Sequence, residues 1–292
     1  MRYGIAVVCV VVAAVLWSGM GLALRQIESA GTWTVLFWRS VGMVPVLLGY
    51  IAIASGGRLW QRLCRIGWPG VVGAAGLVLA FAGAIFAIQS TTVANAVFLF
   101  SAAPFMAAIL GRLLLRESVR NVTWIAIGMA GVGMYVMVRE GLAAGALSGN
   151  AAAILSAFGF AVFTLTLRWG RTEDMMPAVV LGGVFSMVVA VAVLAAQGQG
   201  LTISPWDAGV SMAIGAGILA GGMVLYTLGS RVLPAAELTL LALIEVLLAP
   251  LWVWALRGET ASAATFVGGG ILLAAVVFNA LAGRGGISVR AK

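Results

Sequence analysis

Histidine is absent from the 292 residues, and only 9% of them are charged. Without histidine there is no Ser–His or Cys–His pair for nucleophilic catalysis. No Cys/His cluster for a metal is present either, so no metal and no cofactor are expected. Asp174 and Asp207 fall at the ends of apolar runs, which leaves no paired aspartates inside one. No glycine-rich phosphate loop leads to a lysine. An intramembrane enzyme is therefore disfavoured. The scarcity of charge also excludes a soluble domain, since soluble chains are about one quarter charged. There are two cysteines, Cys9 and Cys64. Both fall toward the predicted cytoplasmic side, where no disulfide is expected.

What the chain has instead is apolar length, 63% by composition. A bilayer crossing takes about 20 apolar residues. The runs are continuous rather than alternating, which excludes a β-barrel. Ten spans are predicted, at 4–24, 33–54, 67–88, 93–115, 121–138, 150–170, 177–196, 206–230, 235–256 and 262–281. The fold class is thus an all-α integral membrane protein. The first span is too long for a signal-peptide core and is read as retained. With the N-terminus placed in the cytoplasm, 13 of the 17 basic residues fall on inner segments. Only Arg25, Arg139 and Arg257 fall outside, and Arg39 lies within span 2. By the positive-inside rule both termini are cytoplasmic. The formal charge of +8 then reports topology and anionic lipid rather than nucleic acid. Trp33, Trp60, Trp68, Trp124, Trp169 and Trp206 stand at span ends, as an interfacial aromatic belt requires.

The chain repeats itself. Span 4 runs NAVFLFSAAPFMAAILGRLLLRESVR and span 9 runs ELTLLALIEVLLAPLWVWALRGET. Each is an apolar run with an interior proline, closed by Arg-x-Glu. Aligning Glu117 on Glu259 gives an offset of 142 residues (259 − 117), and an offset of 143 places Leu24-Arg25 on Leu167-Arg168. Five spans per half is odd, so the second half is inverted relative to the first. Two inverted five-helix repeats, 1–145 and 146–292, follow. That build puts a substrate site near the midplane between the halves. Fused repeats make a monomer sufficient.

Candidate residues come from mid-span positions. Trp17, Ser18, Phe81, Phe98, Ser101, Phe163 and Tyr226 are read as a substrate pocket, since pockets for amphipathic solutes are aromatic with a few polar groups; singly, each also fits helix packing. Arg39, Glu237 and Glu245 are the ionisable candidates, for coupling or for structure, because charge inside a membrane is costly. Pro104 and Pro250 are read as working kinks and Gly221 as a hinge. The Gly217-x-x-x-Gly221 pattern otherwise serves close packing. A channel would need a ring of carbonyls or charges, and none is evident.

With these residues in view, the chain resembles the drug/metabolite transporter superfamily, EamA type. The resemblance rests on Trp17-Ser18-Gly19, Phe37-Trp38-Arg39, the spacing from Pro104 to Glu117, and the Gly258-Glu259 echo after span 9. It covers the whole length. Val246 stands where the family commonly has a proline after the glutamate, and Pro250 lies four residues later, which leaves the kink of span 9 open. Within the superfamily the chain looks most like bacterial amino-acid exporters, the aromatic group included. The resemblance implies efflux of amino acids and related metabolites from the inner membrane by alternating access. The rival within the superfamily carries nucleotide sugars or sugar phosphates, but a phosphate needs converging cations and Arg39 is the sole mid-span one.

Overall fold

The computed structural model describes residues 2–143, 146–170, 175–230, 232–233 and 235–285, of which 140–143, 235–237, 239–240 and 283–285 are described by backbone alone. Ten long helices follow one another. They are α1 (Tyr3–Leu24), α2 (Thr32–Ala54), α3 (Gly67–Ser90), α4 (Val93–Leu114) and α5 (Asn121–Ala143). Then come α6 (Leu147–Trp169), α7 (Met176–Ala196), α8 (Pro205–Ser230), α9 (Ala235–Arg257) and α10 (Ala263–Gly285). Among the described residues, nine of them are long and apolar enough to cross a membrane, and α9 is the remaining one. The outward faces are apolar: Val8, Val12, Ile53, Phe86, Val188 and Phe266 are exposed. Trp60, Trp68, Trp124, Trp169 and Trp206 are exposed near helix ends, where an amphipathic ring is favoured.

Packing joins the first half of the chain to the second. α3 packs on α6 as α1 packs on α8, and α3 touches α7 as α8 touches α2. α2 lies against α7, and α5 against α10. Each contact thus has a counterpart under exchange of the halves, or joins an element to its own counterpart. The buried core runs between them, with Leu36, Met43, Leu77, Ile85, Leu99 and Ile214 almost wholly enclosed.

Three helices depart from regularity. In α4 the helix stops at Phe100 and restarts at Ala103, so Pro104 stands in the first turn of a new segment. A proline removes the bond to the carbonyl four residues back and crowds it; for Pro104 that carbonyl is Phe100's, where the first segment stops. Pro250 lies inside an unbroken helix. α1 is interrupted at Gly19. In α8, Ile214–Gly221 form a π-helical segment, a wide turn that marks functional sites more often than ordinary helix does. Gly217 and Gly221 are not at a tight contact; the close approaches belong to Gly215, against the Arg39 carbonyl, and Gly222, against the Trp17 indole. The packing stripe is offset because the π segment turns that face away.

The loop before α2 is clamped to the start of α8. The Asp207 carboxylate accepts the N–H groups of Glu28, Ser29 and Ala30 at 2.9–3.1 Å, together with the Ser29 hydroxyl. Trp206 donates to the Gln26 carbonyl and Trp38 to that of Leu201. Nothing in the sequence pattern foretold this role for Asp207.

Candidate transport site between the halves

The seven pocket candidates are not brought together in one place. Trp17 and Tyr226 do meet, their rings 5.4 Å apart at 41°, and Ser18 is the next residue along α1. Trp252, which sequence reading missed, donates to the Ser18 hydroxyl at 2.9 Å. Ser18 donates in turn to the Val15 carbonyl and Ser101 to that of Phe98, so both hydroxyls are engaged at helix interruptions. Phe98 lies against Gly269 of α10. Phe163 is buried in the α3–α6 crossing beside Gly73 and Phe160. Phe81 lies under Arg39. The polar atom left open in the aromatic cluster is Trp17 Nε1, buried without an acceptor. Leaving such a donor unpaired costs about 1–3 kcal/mol; the indole nitrogen packs against Gly222 of α8.

The ionisable candidates also separate. Arg39 is 1% exposed, with its guanidinium carbon 4.6 Å from the centre of the Phe81 ring. No ion pair reaches it among the described residues, and its Nε and Nη2 are buried without partners. A desolvated ring contact offers about 2 kcal/mol, against a penalty of several kcal/mol for a buried ion. Glu245 is half-buried in α9 and has no ion-pair partner among the described residues. The side chain of Glu237 lies outside the described residues.

The repeat alignment places Arg25 with Arg168 and Glu117 with Glu259, and in the fold these residues pair crosswise. Arg25 Nε meets Glu259 Oε2 at 2.9 Å; Arg168 Nη1 meets Glu117 Oε2 at 2.5 Å. Each pair ties one half to the other. Glu259 also accepts the Val93 N–H, at the start of α4, and Arg25 donates to the Thr91 carbonyl. Arg168 donates to the Ala107 carbonyl, in the second segment of α4. The two pairs therefore stand toward opposite ends of a 22-residue helix, about 33 Å long.

Beside the Arg25–Glu259 pair lies a cavity of about 470 Å³, lined by Gln89, Thr91, Asn95, Met137, Glu259, Ser262 and Thr265 among others. Asn95 donates to Asn150 across the halves, and its Oδ1 is buried without a partner. None of the seven pocket candidates lines this cavity. Asn95 and Thr265 stand one turn from Phe98 and Gly269 respectively, neither of which lines the cavity.

This is the build of a multi-pass membrane protein with a polar opening between two similar halves. Residues 4–139, slightly under half of the chain, match the EamA-like transporter family, so that stretch carries an EamA-like transporter domain. No curated protein matches the chain. A solved structure described only as a crystal structure of a protein is similar over 95% of this chain and 97% of its own, with a TM-score of 0.65 and 17% identity. That likeness is one of fold.

Proposed function

We propose that the chain is a secondary transporter that exports amino acids and related small amphipathic metabolites across a bacterial inner membrane, with both termini cytoplasmic. Residues 1–145 and 146–292 are its two inverted repeats, and a monomer suffices. The observation that carries the reading is the crosswise ion pairing of repeat-equivalent residues toward opposite ends of α4. Alternating access needs a closure at each face that can open while the other holds. Arg25–Glu259 and Arg168–Glu117 supply one each. The Trp17–Tyr226–Trp252 cluster supports an apolar or aromatic cargo, with ring contacts of about 0.5–1.5 kcal/mol each.

The test is efflux from proteoliposomes loaded with phenylalanine, leucine, glycine or a sugar phosphate. Apolar and aromatic amino acids should leave, and the sugar phosphate should stay. Trp17→Ala and Tyr226→Ala should slow phenylalanine several-fold more than glycine. Equal loss for every cargo, or faster sugar-phosphate efflux, would return the cluster to packing.

A further inference from the structure

We propose that Arg39, Phe81 and Ser186 form a buried site for a small monoanion, a carboxylate or a halide, where α2, α3 and α7 meet. Their register follows from contacts one turn away. Gly182 of α7 faces Leu77 of α3, and Gly183 faces Met43 of α2. α2 runs antiparallel to both neighbours: Thr32 at its start bonds Gln89 at the end of α3, and Trp38 bonds Leu201 just beyond α7. One turn further along α7 is Ser186, one turn further along α3 is Phe81, and one turn back along α2 is Arg39. Arg39 and Phe81 do touch at that level. Ser186 is fully buried and its hydroxyl has no partner.

The unpartnered atoms have the chemistry of a receptor. Nε and Nη2 share one edge of the planar guanidinium, the fork that takes both oxygens of a carboxylate. Phe81 lies 4.6 Å from the guanidinium carbon, and the Nε–Nη2 edge is buried with its donors unpaired. Ser186 adds a hydroxyl donor from the other half of the chain. One cation with no second beside it among the described residues matches a single negative charge, not a phosphate dianion. The residues 142 and 143 positions beyond Arg39 are Leu181 and Gly182, so the repeat supplies no second copy. A buried cation with no counter-ion among the described residues is otherwise unexplained. The carboxylate arm, in which the anion belongs to the cargo, rests on the transport reading above; anion binding itself does not.

The experiment is thermal unfolding of the full-length protein in nanodiscs, begun in sodium sulfate. Chloride, acetate, phenylalanine and phenylalanine amide are each titrated in at constant ionic strength. The quantity read is wild type against variant, which removes general salt effects. The site predicts a saturable rise of the midpoint in wild type and its loss in Arg39→Gln. Ser186→Ala, which removes one donor and no charge, should raise the half-saturating concentration about tenfold. Protection by phenylalanine but not its amide assigns the anion to the cargo; protection by chloride alone assigns it to an inorganic ion. No saturable rise with any probe, or one unchanged in Arg39→Gln, overturns the site. If Arg39→Gln does not fold, an unchanged half-saturation in Ser186→Ala overturns it alone. Anion binding without amino-acid efflux would sink the transport reading only; efflux without Arg39-dependent binding would sink the site only.

Discussion

Two crossings in this molecule occupy the same place in the repeat and are built from opposite materials. Where α3 crosses α6, Ala80 meets Gly159; where α8 crosses α1, Gly222 meets Trp17. Both pairs are related by the 142-residue offset. In the first crossing the backbones touch: a methyl on Gly159 would lie 2.5 Å from the Gly76 carbonyl oxygen and 2.7 Å from the Ala80 nitrogen. In the second an indole fills the space, α8 widens into its π segment, and a buried N–H is left without an acceptor. The first crossing is held by dispersion between backbones; the second holds a larger side chain with an unpaired donor packed against α8.

The largest effect should come from disturbing the first crossing. Gly159→Ala puts a methyl against backbone that cannot rotate aside, and should destabilise by about 3 kcal/mol, the upper range for overpacking; tryptophan-monitored unfolding in nanodiscs reads it. Breaking the two ion pairs should be unequal in the same assay. The Arg25–Glu259 side chains are 26% and 19% exposed, and those of Arg168–Glu117 40% and 38%. Glu259→Gln leaves Arg25 and the Val93 N–H poorly matched, and about 2 kcal/mol should go. Glu117→Gln, in more solvent, should cost below about 1 kcal/mol. Equal costs would mean that the two ends are held alike.

Gly222→Ala presses on a side chain rather than backbone, so about 1–2 kcal/mol is expected. Trp17 emission should shift as well, and Gly221→Ala, which meets its neighbours only at 3.9–4.0 Å, should change neither. The smallest effect belongs to the prolines. Pro104→Ala, in a first helical turn, should stay within about 0.5 kcal/mol of wild type. Pro250→Ala restores a donor inside a continuous helix and should stabilise α9 measurably in the same unfolding assay.

Long apolar runs have one solution in lipid, since every backbone N–H and C=O must be paired within its own segment. The all-helical class, the helix order and most boundaries were therefore legible in the sequence. The 142-residue echo was legible for the same reason, because Arg25, Glu117, Arg168 and Glu259 mark helix ends. Their crosswise pairing was not, since it depends on which ends the packing brings together. Nor could the sequence separate Gly222 from Gly221, or gather Trp252 onto Ser18. Such contacts turn on the rotation of each helix about its axis, and a residue step turns that by about 100°. The sequence marked Arg39 as costly by its place in an apolar run; only the three-helix junction decided that no carboxylate among the described residues answers it, because partners across a membrane bundle are chosen by packing and not by spacing along the chain.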